Sequence, residues 1–402
     1  MQKFKLKNGI TVIFDKNSSK SVAVEVMVRV GSNNENESQA GLSHFLEHML
    51  FEGTKTRKDS REIANEIEKY GGEFNAYTTG DRTAYFIKII NKQFEKALEI
   101  LSDMVINSAF DEKIMEKEKQ VILKEINMVT DDPRLHQWVL FQKNLFEKHP
   151  AKNPTYGTVK AVKGFSRKTL VDYYSEHYVS KNMILSISGN ISDAHQKAEK
   201  YFGKMRTASV QPRNRMIESP QQKEKKVVEK RKTLNSYLVV GYKTVPRLHK
   251  HSYVFDVIHG IIGRGQSGWM FDEIRNKRGL AYQVGIQNEM EIDYGMFAVY
   301  CGLDKSKIEK AKEIMMQQFN RLQTISEKDL EEAKNYIEGN FALQTEDNFH
   351  RADNVAYWET IKDAALADSY IKNIRRVTTA DVKAVAKKYF TGNYTIVVIE
   401  QK

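Results

Sequence analysis

Cysteine is nearly absent. Cys301 is the only one among 402 residues, so no intrachain disulfide can staple the fold, and stability has to come from buried apolar surface. It lies in Phe297-Ala298-Val299-Tyr300-Cys301, where a small buried hydrophobe is the expected role and not a nucleophile. Proline is scarce as well, with 6 in the chain, which leaves long stretches free to run as helix or strand. No segment approaches a full membrane span of uninterrupted apolar residues, and that excludes a hydrophobic spanning helix. The start, Met1-Gln2-Lys3-Phe4-Lys5-Leu6-Lys7, has no apolar leader core and passes directly into strand-like alternation, so a cytoplasmic protein with no membrane partner is expected. Acidic residues fall short of basic ones, 52 against 63, for a formal net charge of +11. The excess is spread over Lys223-Glu224-Lys225-Lys226, Lys230-Arg231-Lys232 and pairs such as Lys387-Lys388. It comes with no aromatic platform for RNA and no DNA-reading motif, so it is read as solvated surface and no nucleic-acid partner is expected.

What the chain does contain is His44-Phe45-Leu46-Glu47-His48. On a helix, positions four apart lie one turn above each other, so the two imidazoles can reach one ion, and Glu47 shares their face. Two His and a carboxylate leave zinc an open position for water, whose proton a nearby carboxylate can accept. Phe45, Leu46, Met49, Leu50 and Phe51 can bury the remaining faces. The competing interpretation is a pair of hydrogen-bonded core histidines. A third ligand should come from another helix, and Glu116-Lys117-Glu118-Lys119-Gln120-Val121-Ile122-Leu123-Lys124-Glu125 offers Glu118 and Glu125 two turns apart on one face. The residues alone leave both open, since acids on a lysine-rich helix are usually solvated.

With 41% hydrophobic and 29% charged residues, the chain can build two cores. A polar stretch rich in Pro, Asn and Gln divides it, giving residues 1–206, a linker at 207–226 and residues 227–402. The halves look like diverged copies. Phe110-Asp111-Glu112-Lys113 resembles Ile325-Ser326-Glu327-Lys328, each before a long helix, and the strand at Met183-Ile184-Leu185 corresponds to that at Tyr394-Thr395-Ile396. His44 then maps onto His259, but Gly260-Ile261-Ile262-Gly263 follows, so the second half lacks the metal motif. Early hairpins, long helices and a last strand in each half predict an α+β fold. The expectation is two homologous α/β sandwiches, each a mainly antiparallel sheet with helices on one face.

The ordered set His44, Glu47, His48 and Glu125 resembles the pitrilysin/insulinase family of zinc peptidases, which includes the mitochondrial processing peptidases. The resemblance covers essentially the whole chain, from Leu6-Lys7-Asn8-Gly9-Ile10 through Gly71-Gly72-Glu73-Phe74-Asn75-Ala76-Tyr77-Thr78 to Arg275-Asn276-Lys277-Arg278-Gly279-Leu280-Ala281-Tyr282. It implies one zinc ion per chain held by His44, His48 and Glu125, with Glu47 as general base and Glu118 orienting a ligand. It also implies that Asn75 and Ala76 present an edge strand to an extended peptide. Arg275 and Tyr282 would hold substrate and stabilise the oxyanion. Without the resemblance, Arg275 reads as a helix C-terminal charge beside Gly279, Tyr282 as a strand core aromatic, and Asn75 as a hairpin residue near a Gly71-Gly72 turn. Gly263-Arg264-Gly265-Gln266-Ser267-Gly268 lacks the ending of a phosphate loop. It resembles the family's Gly-rich loop, although Gly268-Trp269-Met270 departs from the usual pattern.

Single-chain relatives of the family close two such halves like a clamshell around a chamber. A chain of one half's size carrying both motifs implies a homodimer in which Arg275 and Tyr282 complete the partner's zinc site. The function implied is a zinc endopeptidase acting on short unstructured peptides, with Glu47 activating zinc-bound water. The alternative is a non-catalytic peptide-binding or assembly subunit. His and carboxylate ligands also accept cobalt or manganese.

Overall fold

The structure is a computed structural model that describes all 402 residues. The chain forms two compact units that are not contiguous in sequence. One comprises Met1–Asn127, Asn153–Asn214 and Leu343–Ala367; the other comprises Met128–Lys152, Arg215–Ala342 and Asp368–Lys402. No helix is long and apolar enough to cross a membrane.

In the first unit, β1 (Gln2–Lys5), β2 (Thr11–Lys16), β3 (Ser21–Val28), β4 (Glu73–Thr78), β5 (Thr83–Ile90) and β6 (Met183–Gly189) form one sheet in the order β1-β2-β6-β3-β5-β4. Every pair is antiparallel except β2 with β6. The alternation of β3 sends Val22, Val24, Val26 and Val28 to one face. There they meet Phe45 and Leu46, Leu98 and Leu101, and Leu170 and Tyr173 from three helices. Each such buried side chain contributes about 1.5–3 kcal/mol of transfer free energy.

The other face of this sheet is covered by a helix from far along the chain, Asn348–Ile361. Ser186 on β6 donates its hydroxyl to the Ala352 carbonyl at 2.8 Å, and Asn348 donates to the Ser21 carbonyl at 2.7 Å. Phe86 stacks on Phe349 with centroids 3.8 Å apart.

The second unit repeats the plan. β7 (Lys225–Arg231), β8 (Ser236–Lys243), β9 (Ala281–Met290), β10 (Gly295–Leu303) and β11 (Thr395–Gln401) run in the order β7-β11-β8-β10-β9, with β7 and β11 the parallel pair. Its second face is covered by Pro133–Leu145, a helix from the first half of the sequence, through Phe141 and Leu145 against Val239, Met296, Ala298 and Val397. The approach is close enough that a Cβ on Gly241 would lie 2.5 Å from the Phe141 ring. Only glycine fits there.

The expected α+β architecture of two related sheets is therefore present, with an addition. Each sheet carries its main helical layer on one face and, on the other, a single helix exchanged from the opposite half of the sequence. The chain passes between the units five times; one passage, at Asn214–Arg215, falls within residues 207–226, and residues 225 and 226 already belong to β7.

Candidate metal centre

The helix Leu42–Phe51 buries Leu42, Ser43, Phe45, Leu46, Met49 and Leu50. His44, Glu47 and His48 occupy its one half-exposed stripe. Its start is fixed from two sides. Gly41 has φ +98° and Gly157 has φ +76°, and the two segments cross so tightly that a Cβ on Gly157 would overlap the Ala40 carbonyl. The Glu35 carboxylate accepts the backbone N–H groups of Gly41 and Ser43, each at 2.6 Å, where the helix dipole favours negative charge. Burial pushes the Glu35 carboxyl up to about 7 even though those N–H bonds pull it down. Neither Glu35 nor the glycine crossing was anticipated from sequence.

The helix Glu112–Asp131 begins where Asp111 accepts the N–H groups of Lys113 and Ile114, and it buries Met115, Glu118, Ile122 and Ile126. Glu118 and Glu125 are therefore set within or beside the apolar stripe, and Glu118 is only 6% exposed. The solvated-acid interpretation does not hold for Glu118.

One ligand-type atom from each of His44, His48 and Glu125 lies within 4.8 Å of the others. Glu125 Oε2 is 3.6 Å from His44 Nε2 and 3.9 Å from His48 Nε2. Glu118 Oε2 is 3.4 Å from His48 Nδ1. A proton on Nδ1 toward that carboxylate leaves the Nε2 lone pair directed at the shared point. Two imidazoles and a carboxylate converging from two helices match the donor chemistry of a divalent zinc-type site.

The two histidines differ electrically. Burial and the neighbouring His48 pull His44 down to about 4, so its imidazole is neutral at ordinary pH. Burial also pulls His48 down, but the Glu118 hydrogen bond and the charges of Glu47, Glu125 and Glu118 outweigh it and raise its pKa. Burial raises Glu47, opposed by a hydrogen bond from Thr78 and by His48. Burial likewise raises Glu125, against the pull of His48.

β4 is the edge of its sheet, paired with β5 alone. Its alternation turns Phe74 toward Phe51 of the metal helix, 5.8 Å between ring centroids, so Ala76 and Thr78 share that face. The Thr78 hydroxyl donates to Glu47 Oε2, a contact sequence reasoning missed although period-two alternation pointed to it. Asn75 is mid-strand, and its Oδ1 accepts the Ala76 N–H at 2.8 Å. Gly71, with φ +68°, does not make a hairpin: its N–H caps Glu68 at the end of the helix Ser60–Glu68. The hairpin turn lies after Thr78, where Thr79 N–H meets the Arg82 carbonyl.

In the second unit, Arg275 sits in the π-helical turn Asp272–Asn276, and the Gly279 N–H caps its carbonyl. Its guanidinium lies 4.7 Å from the Tyr282 ring centroid and 4.9 Å from that of Phe271. Tyr282 is the second residue of β9 and is 83% exposed, which rules out the core-aromatic interpretation. The two line a cavity of about 530 Å³ with Arg134, Asn235 and Tyr237. His259 lies on the helix Ser252–Gly263, where its successor Gly260 packs against Ala333 and Ile337, and no metal-type cluster forms around it.

Residues 11–159 match the family model "Insulinase (Peptidase family M16)", and residues 164–337 match "Peptidase M16 inactive domain". Among similar proteins is an uncharacterised zinc protease, YmxG, of Bacillus subtilis (strain 168), 30% identical over 99% of this chain and 98% of that protein. Another, an uncharacterised zinc protease of Rickettsia bellii (strain RML369-C), is 31% identical over 98% of this chain and 96% of its own length. The crystal structure of a protease from Helicobacter pylori shares the fold with a TM-score of 0.94 at 24% identity, covering 99% of both chains. The duplicated architecture, the inverted His/Glu/His helix and the full-length match together establish that the chain belongs to the insulinase family of peptidases, family M16.

Proposed function

We propose that this protein is a zinc-dependent endopeptidase that cleaves short unstructured peptides. The observation that carries the assignment is the convergence of His44, His48 and Glu125 within 4.8 Å, with a half-buried carboxylate, Glu47, on the same helix face. The zinc-protease names of relatives across the full chain length support it. His44, His48 and Glu125 would hold the ion, and Glu118 fixes the tautomer of His48. When bound, a divalent ion with an open position supplies Lewis acidity toward a carbonyl oxygen and toward water.

The chain's own residues do the rest. Glu47, raised in basicity by burial, takes a proton from the attacking water and returns it to the leaving amine. β4 offers the peptide an open edge. Its middle residues, Phe74-Asn75-Ala76-Tyr77, carry no charge, whereas the edge strand β7 is lined with Lys225, Lys226 and Lys230. Lysine opposes strand addition and its absence permits it. Arg275, stacked on the exposed Tyr282 ring, and the Tyr282 phenol are donors suited to a developing oxyanion. They act on the site of a second copy of the chain in a homodimer.

The test incubates purified protein with long disordered peptides and follows fragments by mass spectrometry, comparing wild type with Glu47→Gln in matched zinc. Fragments are expected from the wild type only, lost with a chelator and restored by zinc. Equal cleavage by the variant would sink the assignment of Glu47. No cleavage by either protein would favour a non-catalytic peptide-binding subunit.

A further inference from the structure

We infer that Thr78 is the positioning residue for Glu47: its hydroxyl holds Oε2 of the carboxylate, so that Oε1 is the oxygen left for the reacting water. The inference rests on the peptidase assignment above and extends it to a residue outside the metal helix.

The geometry is specific. Thr78 is the last residue of β4 and pairs with Thr83 across the hairpin. The turn beyond it is closed by the Thr79 N–H to Arg82 carbonyl bond at 2.8 Å. Its neighbour Tyr77 points to the opposite face, where the phenol donates to Asp353 Oδ1 on the exchanged helix. The strand end is thus tied on both faces, by Tyr77 behind and Thr78 in front. A β-branched side chain has a stiff χ1, and the hydroxyl has a single proton to give. That proton goes to Glu47 Oε2. A carboxylate on a two-bond stem otherwise rotates among several orientations, and holding it in one removes that freedom before the reaction. Because the hydroxyl comes from the strand that would receive the peptide, base and substrate share one rigid mount.

A purely structural role for Thr78 is the competing account, and the two separate in one experiment on the full-length zinc-loaded protein. Thr78→Val, Thr78→Ser, Glu47→Gln and the double variant Glu47→Gln/Thr78→Val are assayed on an internally quenched disordered peptide. Zinc content and melting temperature are measured alongside. Thr78→Val is expected to lower kcat about 10- to 100-fold with KM within about twofold, at unchanged zinc content and melting temperature. Thr78→Ser, which restores the hydroxyl, is expected to recover most of kcat. In the Glu47→Gln background the valine is expected to cost nothing more, because Thr78 acts through Glu47.

Undiminished kcat in Thr78→Val would overturn the inference while leaving the peptidase assignment intact. So would a loss matched by lost zinc, or one that multiplies the Glu47→Gln defect. A fully active Glu47→Gln enzyme would overturn the assignment of the base and the inference with it. A crystal structure of Thr78→Val gives an answer independent of activity. A displaced Glu47 carboxylate beside unmoved His44, His48 and Glu125 is expected, and an unmoved Glu47 would refute the role.

Discussion

His44 and His48 lie one turn apart on the same helix, yet their environments make them different imidazoles. His44 is neutral because it is buried beside another imidazole, and His48 is held by Glu118 at 3.4 Å. Under the proposed zinc assignment, Glu118 orients a ligand from outside the His44, His48 and Glu125 set. Glu118→Gln keeps the size of the side chain but weakens the acceptor. It is expected to reduce zinc affinity about tenfold or more, measured by competition with a chromogenic chelator, with the fold unchanged by circular dichroism. Affinity equal to wild type would show that His48 needs no orienting partner. At this scale the sequence was informative where chemistry and spacing coincide, as in His44, Glu47 and His48. Alternation put Thr78 on the face of Phe74 and Ala76, but its pairing with Glu47 depends on how far a strand end projects over a helix, which spacing does not encode. Tyr282 was ambiguous because aromatic residues in strands are usually inside, and only its position at the open start of β9 explains its exposure.

At the scale of elements, the metal helix is held at its N-terminus by Glu35, which lies outside it. Burial places the Glu35 carboxyl at about 7, above its ordinary 4.5. Between those values the folded protein binds the proton more tightly than the unfolded chain, so this group's contribution to stability is present at low pH. It falls as pH rises through that window and is level above it. Glu35→Gln cannot ionise and can accept with only one oxygen. The stability difference between wild type and variant, measured by urea unfolding of the metal-free protein, is therefore expected to be larger near about pH 5 than near about pH 8. A difference independent of pH would mean that Glu35 is ionised throughout. The order of early strands, long helices and a last strand in each half was legible. Ser166, Thr158 and Thr378 each cap a helix start with their own hydroxyl. The Gly71-Gly72 pair was not resolved, because a glycine that ends a helix and one that turns a hairpin look alike in sequence.

For the whole molecule, a homodimer that shares residues between sites makes a quantitative prediction. Glu47→Gln lacks the proposed base and Arg275→Ala the proposed oxyanion donor, so each is expected to keep only residual activity alone. If the two act across subunits, mixed dimers contain one intact site, made of Glu47 from one chain and Arg275 from the other. Mixing equal amounts under exchange conditions is expected to restore about a quarter of wild-type activity. No recovery after confirmed exchange would place both residues in the service of one chain's own site. The doubling of the fold was visible in the sequence, but the destination of two helices was not. The sheet that each of Asn348–Ile361 and Pro133–Leu145 covers is a long-range choice that no local signal encodes.

That exchange also sets a schedule for synthesis. The sheet bearing the metal helix is covered on its second face by residues 348–361, near the end of the chain. When the last strand of that sheet, Met183–Gly189, leaves the ribosome, Ala23, Met27 and Ile184 still face water, and they remain so until more than half of the remaining chain has been made. The nascent first half therefore stays unfinished until residues 348–361 are made, and the two similar halves of the chain cannot be completed one at a time.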